Sequence, residues 1–399
     1  MQSKLEENLQ LLPADELARR VAKVTSHMRD LGMDAMLAGD NANLYYLTGR
    51  VFCGYVFVAA DGRVMYFLRR PSELKGDDIH LIRKPEDMAP HIAGAIGGAP
   101  TVGLMMDDTP YSLIARLQKM LGDSASIANG SQVMRLARAV KTKLEIEMMA
   151  ASGVRQASVY RELPRVYEPG MTDLEFQFEI ERELRRAGCL GQFRLSGPEL
   201  EIFMGNVLTG ENADNPSPYD FAMGGAGMDP SLPVGADGTL IKPGKPVMVD
   251  MNGNFTGYMT DMTRTYVAGE APEIAVRANR LSADICRAIS EAARPGVECK
   301  TLYELAVRMV EEAGMADYFM GHRYHAGFVG HGIGITVNEM PVLAPRSRDV
   351  LEAGNTYACE PKFVIPGVGA VGVENTYVVE AEGPARCITV LDENIIPLL

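Results

Sequence analysis

The chain lacks any long apolar run and any cysteine cluster. No stretch approaches the roughly 20 consecutive apolar residues of a membrane-spanning helix, and no apolar segment follows a basic start at the N-terminus, so we expect neither a membrane span nor a secretory signal. The six cysteines are scattered and form no C-x-x-C pair, which favours reduced thiols in a cytoplasmic protein. A bound metal would therefore need oxygen and nitrogen ligands.

Positive charge is also scarce. The chain has 52 acidic residues and 39 Lys and Arg, which gives a formal net charge of −13. A protein this acidic is a poor partner for a phosphate backbone or an anionic membrane. We expect neither a nucleic acid nor a membrane as its partner, which leaves a small-molecule substrate.

The 399 residues suffice for two domains. A predicted amphipathic helix over residues 15–31 precedes short strand-like runs, and we assign residues 1–141 to a compact α/β domain. Residues 142–399 form a second, α+β domain, in which long helices alternate with strands. Its helices are predicted over residues 144–165, 172–187, 273–293 and 301–313.

Two features organise the helices of the second domain. Thr172 with Glu175, and Thr301 with Glu304, have the spacing of a capping box, which predicts two helix starts. The stretch from Pro169 also repeats from Pro295 at an offset of 126 residues, and this predicts two halves related by a pseudo-twofold axis.

A first β-hairpin is predicted around Asn252-Gly253-Asn254, between two apolar runs. If it is symmetric about residues 255 and 256, Asp250 lies directly opposite Asp261. Two facing carboxylates inside apolar strands repel each other unless a positive charge lies between them. Thr263 lies on the same strand face, either as a hydroxyl that supports a ligand or as an ordinary strand residue.

A second hairpin presents the same arrangement. Centred on Gly367, it sets Glu360 opposite Glu374. His331, in a glycine-rich stretch that allows close backbone approach, adds a nitrogen. Four carboxylates and one imidazole suit two divalent ions, with Mn²⁺ first and Co²⁺ or Zn²⁺ as alternatives. Two such ions about 3.5–4 Å apart can bridge a hydroxide and polarise a carbonyl, which predicts a hydrolase.

These segments also carry a family resemblance. The stretches VDMNGNFTGYMTDMTRTYV, GHGIGITVNEMP and CEPKFVIPGVGAVGVENTYVV resemble the signatures of the pita-bread metallopeptidases, which include prolidase, aminopeptidase P and methionine aminopeptidase. The stretch NLYYLTG resembles the creatinase-type N-terminal domain of prolidases. The resemblance implies a pita-bread catalytic domain that cleaves short peptides, above all those with proline second.

The resemblance also implies roles for residues. Asp261 and Glu374 would bridge the two metals, Asp250 would complete one site, and His331 with Glu360 the other. Glu360 would also carry a proton from the bridging water to the leaving amine. Family members are commonly homodimers in which the N-terminal domain of a neighbour lies near the active site. Residues that could face the cleft in this way are Arg50, Phe52 and Tyr55.

Several substrate-side positions depart from the family pattern. Asn338 and Gly327 stand where prolyl peptidases carry His, Gly372 stands where they carry Arg, and no His lies between Cys189 and Met320. Asn338 can still donate a hydrogen bond to a substrate carbonyl. Residues that could replace the missing groups are His322, His325, Asn212, Asp214, Asn215 and Tyr219.

Three functions remain open on this evidence. The first is a metal-dependent peptidase of the X-Pro dipeptidase or aminopeptidase P type, with Glu360, His325 and Asn338 as its catalytic residues. The second keeps the metal site for a small non-peptide metabolite, by amide hydrolysis or lyase chemistry. The third is a binding module without catalysis, which the complete ligand set disfavours.

Overall fold

The computed structural model describes residues 7–195, 204–219, 221 and 223–398. The chain divides into two compact units, Met1–Arg138 and Ala139–Leu399. The division expected from the sequence lies three residues further on, between residues 141 and 142. Within the described ranges no helix has the length and apolar character that a bilayer crossing requires.

The first unit is built on a six-stranded mixed sheet. Its strands are β1 (Ala35–Ala38), β2 (Cys53–Ala59), β3 (Val64–Arg70), β4 (Ile79–Leu81), β5 (Thr101–Leu104) and β6 (Ser126–Asn129), in the order β4-β3-β2-β1-β5-β6. Its helices are α1 (Ala14–Asp30), α2 (Asn41–Thr48), α3 (Ala89–Ala95), α4 (Tyr111–Leu121) and α5 (Ser131–Ala139). Helix α1 buries Val21, Val24 and Met28, which share one helix face at this spacing. The helix predicted over residues 15–31 is confirmed within one residue, and short strands follow it as expected.

The second unit contains two pairs of helices, and each pair packs on its own strands. Its helices are α6 (Lys143–Glu162), α7 (Asp173–Arg186), α8 (Glu273–Ala292) and α9 (Cys299–Glu312). Its strands are β7 (Gly205–Thr209), β8 (Pro246–Asn254), β9 (Met259–Ala268), β10 (Gly330–Gly332), β11 (Glu339–Leu343), β12 (Thr356–Cys359), β13 (Lys362–Ile365), β14 (Gly369–Gly372), β15 (Asn375–Val378), β16 (Arg386–Cys387) and β17 (Ile396–Leu398). They form a four-stranded sheet β17-β9-β8-β7, a five-stranded sheet β11-β10-β12-β15-β16, and the hairpin β13-β14.

Each helix pair covers its own strands. Helices α6 and α7 pack on the sheet of β8 and β9, with Tyr160 and Phe176 in that core. Helices α8 and α9 pack on the strands around the second hairpin, with Ile285 and Leu302 in theirs. The first helix of each pair has 20 residues and the second has 14. This is the repeated half expected from the sequence.

The first hairpin corrects a predicted register. Strands β8 and β9 pair Asp250 with Thr263 and Asn252 with Asp261, so Asp250 does not face Asp261 directly. The turn falls at residues 255–258 because the Asn254 side chain accepts the Gly257 N–H, at a glycine with φ of +85°. The slip is two residues, so Asp250 and Asp261 still share one sheet face as diagonal neighbours.

The second hairpin confirms its predicted centre. Strands β13 and β14 pair Ile365 with Gly369 and Lys362 with Gly372, symmetrically about Gly367. Continuing that register sets Glu360 opposite Glu374. Both residues lie just outside the paired strands, where the chain passes from one sheet to the next.

One of the two predicted capping boxes is present. Thr172 accepts the Glu175 N–H and Glu175 accepts the Thr172 N–H, at the start of α7. The box at Thr301 is wrong: α9 begins at Cys299, whose N–H donates to Asp349 O and so starts the helix two residues earlier. The Thr301 hydroxyl donates to Glu298 O instead.

This difference gives a stability prediction. Thr172→Ala removes the hydroxyl that accepts the Glu175 N–H, and we expect it to lower the free energy of unfolding by about 1 kcal/mol. Thr301→Ala removes an exposed hydroxyl that caps nothing, and should cost less than about 0.5 kcal/mol. Urea denaturation of both variants measures the difference. Equal losses would contradict the capping assignment.

Candidate metal centre

Three buried side chains of the second unit converge on one point. Asp261 on β9, His331 on β10 and Glu374 before β15 place one possible ligand atom each within 4.8 Å of the others. Asp250 on β8 and Glu360 before β13 complete the predicted set. Glu360 contacts His331 of the cluster, and Asp250 contacts Lys362, which lies beside it. The sequence therefore predicted residues that the fold does bring together.

Glu374 shows the clearest demand for a ligand. Its Oε2 accepts a 2.7 Å hydrogen bond from the Thr263 hydroxyl, while its Oε1 is buried without a hydrogen-bond partner among the described residues. A buried carboxylate oxygen left alone costs free energy. A cation at Oε1 would offset that cost.

His331 is held in one orientation. Its Nδ1 lies 3.0 Å from Gly332 O, which can only accept, so Nδ1 carries the proton in that bond and Nε2 is left for a metal or an acid. Glu360 Oε1 lies 3.3 Å from that Nε2. Both flanking glycines are required by close packing: a Cβ on Gly332 would meet Met340 O at 2.3 Å, and one on Gly330 would meet Ala358 O at 2.4 Å.

The sequence analysis did not single out Lys362, which lies in the middle of the acids. Its Nζ is 2.7 Å from Asp250 Oδ2, 2.8 Å from Glu360 Oε2 and 3.0 Å from Glu374 Oε2. The residue is 1% exposed. The signal that could have revealed it is a lysine inside an apolar strand, directly opposite Gly372 in the correctly predicted hairpin.

The electrostatics show carboxylates in need of positive charge. Burial, followed by repulsion from Asp250, raises the pKa of Asp261 to about 7. Burial and the Asp261 charge likewise raise the pKa of Glu374 well above its usual range. Burial alone would raise the pKa of Glu360 too, but Lys362 and His331 lower it to about 2. Burial alone would lower the pKa of Lys362, and the surrounding carboxylates raise it instead.

Asn252 is a further polar residue at this place. It lies directly opposite Asp261 in the β8–β9 ladder and is 1% exposed. Neither its Oδ1 nor its Nδ2 has a hydrogen-bond partner among the described residues. Since buried amides are rarely left unpaired, Asn252 is a neutral donor group available to a bound ligand.

The predicted catalytic residues other than Glu360 lie outside this cluster. Asn338 is half-buried in the loop between β10 and β11. His325 binds Phe319 O through Nδ1 at 2.8 Å and lines a cavity of about 70 Å³. Other predicted substrate-side residues that line this cavity are Asp214, Asn215, Tyr219 and His322. Asn212 serves the fold instead, because its amide donates to Asp173 and to Gly235 O.

Phe52 and Tyr55 line a cavity of about 1080 Å³ within the first unit. Arg50 precedes Phe52 by two residues in the sequence. Their predicted role at the mouth of a neighbour's active site stays a prediction. Gly327 is exposed and Gly372 is buried, so only Gly372 of these two departures lies against the acidic cluster.

The donor set fits a divalent ion. Asp261, His331 and Glu374 offer two carboxylates and one imidazole at a shared point, and no described residue donates a hydrogen bond to Glu374 Oε1. Oxygen and nitrogen ligands of this kind suit Mn²⁺, Co²⁺ or Zn²⁺. All six cysteines are free thiols, and none belongs to the cluster.

Residues 147–381 match the model of metallopeptidase family M24, which covers more than half of the chain. The chain belongs to this family. Residues 20–140 of this M24 protein match the creatinase/prolidase N-terminal domain. Family membership implies a peptidase with divalent metal ions, and it confirms the two kinds of domain that the resemblance predicted.

Curated and solved relatives cover between 73% and 96% of the M24 chain. It is 24% identical to the Xaa-Pro dipeptidase of Pyrococcus horikoshii over 93% of its length and 97% of that protein. It is 27% identical to the probable dipeptidase PepE of Mycobacterium tuberculosis, over 73% of its length and 69% of that protein. The structure of the Xaa-Pro dipeptidase from Bacillus anthracis matches with a TM-score of 0.79 at 22% identity, covering 96% of this chain and 100% of that one. The expected pita-bread fold is confirmed.

The hydroxyl of Thr263 gives a test of the M24 centre. Thr263→Val keeps the side-chain shape but removes the bond to Glu374 Oε2, so we expect metal affinity to fall about 10–100-fold. Thr265→Val is the matched control, because that hydroxyl binds only the backbone of Gly372. Calorimetric titration of both variants with Mn²⁺ measures the change. Equal weakening in the two would show a general loss of structure instead.

Proposed function

We propose that the chain is a metal-dependent peptidase that releases the N-terminal residue of short peptides, with X-Pro dipeptides as its first substrates. The observation that carries the proposal is the convergence of Asp261, His331 and Glu374 on one point. The names of its relatives, Xaa-Pro dipeptidase and dipeptidase PepE, support the substrate class. Manganese is the first candidate metal, with cobalt or zinc as alternatives.

Each residue of the centre has its own role in the proposed reaction. Asp261, His331 and Glu374 hold the metal, which when bound polarises the scissile carbonyl and lowers the pKa of water. Glu360 Oε1, next to His331 Nε2, takes the proton of the attacking water and returns it to the leaving amine. Lys362 fixes the other oxygen of Glu360 and so keeps Oε1 turned toward His331.

The small cavity beside His325 supplies the substrate side. Val364 lines this cavity and lies two residues from Lys362 on β13, so both side chains point to the same face about 7 Å apart. Met320 also donates its N–H to Lys362 O, which ties the loop carrying His322 and His325 to that strand. We propose that this loop contacts the peptide next to the bond that is cleaved.

A non-peptide substrate remains the second candidate. The observation that favours it is the set of departures from the family pattern, namely Asn338, Gly327 and Gly372. A small amide would use the same metal ligands and Glu360, and would not need the missing side chains. We further propose that the protein is a cytoplasmic homodimer, on the basis of its free cysteines and of the family resemblance.

A substrate panel tests the proposed activity. The purified chain, loaded with Mn²⁺, should hydrolyse X-Pro dipeptides faster than X-Ala dipeptides or longer X-Pro peptides. Glu360→Gln, which cannot carry the proton, should lower kcat about 100-fold or more. Activity on small amides with none on any peptide would favour the second candidate. A loaded enzyme inert toward the entire panel would refute both.

His325 is tested separately from the metal ligands. Because its Nδ1 is engaged with Phe319 O, its Nε2 is the nitrogen that can exchange a proton with substrate. His325→Gln should lower kcat/KM for X-Pro dipeptides about 100-fold while leaving the metal content unchanged. His27→Gln, in helix α1 of the first unit, is the control. Unchanged kcat/KM for His325→Gln would remove His325 from the active site.

A further inference from the structure

We propose that the Lys362 ammonium takes the place of one of the two metal ions, so that the centre binds a single divalent ion through Asp261, His331 and Glu374. The inference concerns the same site as the proposed function. It is tested by counting metal without any peptide, so its failure can be told apart from a failure of the proposed activity.

The ammonium already has all the partners it can take. A lysine has three N–H donors and no acceptor. Its Nζ lies within 3.0 Å of one oxygen each from Asp250, Glu360 and Glu374. Such charge-assisted contacts are the strongest that an ammonium makes. The contacts with Asp250 and Glu360 are hydrogen bonds and the contact with Glu374 is an ion pair, so Lys362 is a cation paired three times inside the predicted ligand set.

A metal ion and this ammonium would compete for one place. Divalent ions such as Zn²⁺ bind carboxylate oxygens at about 2.0–2.2 Å, and an ion shared by Asp250 Oδ2 and Glu360 Oε2 would lie where these two oxygens converge. Nζ occupies that point, 2.7 and 2.8 Å from them. The second ion can bind only if the ammonium leaves.

The lysine is held in position along its whole length. Its backbone pairs with Gly372, and its N–H and C=O contact Met320. A Cβ on Gly372 would meet the Cα and Cγ of Lys362 at 3.0 Å, so the side chain lies flat over that glycine. At 1% exposure, moving the ammonium to water would require the surrounding β-structure to open.

The remaining donors suit one ion. In the described part of the chain neither Asp261 nor His331 is an ion-pair partner of Nζ, and Glu374 Oε1 has no hydrogen-bond partner there, while Oε2 lies 3.0 Å from the ammonium. Asn252, opposite Asp261 and also without a partner, offers a fourth donor.

Another buried lysine of this unit shows what an ordinary structural pair looks like. Lys141 is also buried, and its Nζ lies 2.8 Å from a single carboxylate, that of Glu339. One lysine with one carboxylate is a balanced ion pair. Lys362 instead gathers three carboxylates, as a metal ion does, which distinguishes it from a packing element.

The test counts metal in the full chain. After loading with Mn²⁺ and dialysis, the wild-type protein should retain one ion per chain by elemental analysis, and its paramagnetic resonance spectrum should be that of an isolated ion. Lys362→Met, which keeps the length of the side chain without its charge, should retain two ions per chain and show a spin-coupled pair. Lys141→Met is the matched control and should retain one.

A second arm uses the wild-type lysine, so that the outcome does not depend on the folding of Lys362→Met. Asp250→Asn removes a partner of the ammonium and should leave the count at one, whereas Asp261→Asn should reduce it to none. In calorimetry we expect any second ion to bind wild type about 100-fold or more weakly than the first, since it must displace charged hydrogen bonds.

Three results would overturn the inference alone. The first is that wild type binds two ions with similar affinity. The second is that wild type and a folded Lys362→Met have the same metal count. The third is that Asp250→Asn loses one of two bound ions. A folded wild-type chain that retains no Mn²⁺, Co²⁺ or Zn²⁺ at all would also overturn it. In that case the proposed metal-dependent activity would fail as well.

Discussion

The second unit depends on keeping four carboxylates close together with little water. Asp261, Glu360 and Glu374 are 8%, 5% and 1% exposed, and isolated charges so placed cost several kcal/mol each. Burial raises the pKa of each acid and nearby cations lower it. Each acid is therefore stable as an anion only where a cation lies close to it. Lys362 and His331 lower the pKa of Glu360, whereas the pKa values of Asp261 and Glu374 stay raised, so these two acids still call for a further cation.

Hydrogen bonds between buried side chains and the backbone hold the segments that carry the acids in place. Arg264, with no exposed surface, donates to the carbonyl oxygens of Thr263 and Glu374 and to the Asn375 side chain. Thr376 donates to Asp261 O and accepts the Asp261 N–H. These bonds join β9 to the segment that carries Glu374. The two halves of the repeat therefore meet through paired threonines and acids, and the ligands stay in place whatever their charge.

How far the sequence predicted this site depended on the kind of signal. Helix bounds followed from periodicity, and the second hairpin followed from the symmetric placement of Pro366-Gly367 between apolar runs. The predicted register of the first hairpin was wrong by two residues. A hydrogen bond from the Gly257 N–H to the Asn254 side chain fixes the turn, and the sequence pattern does not predict this bond. Asp250 and Asp261 stay on one sheet face despite that error, because a register slip of two residues keeps the same face. Asn252 could not be found, since its importance lies in lacking partners, which only the packed structure reveals.

Lys362 and Gly372 are best understood as one feature. They face each other across β13 and β14, and the close approach at Gly372 leaves no room for a side chain there while Lys362 lies over it. The family resemblance implies an arginine at residue 372, whereas this chain has a glycine there and a lysine directly opposite, at residue 362. On β13 the charge points into the acids, at hydrogen-bond distance from three of them. A glycine that looks like a lost substrate contact in the sequence thus provides the space over which the Lys362 side chain lies.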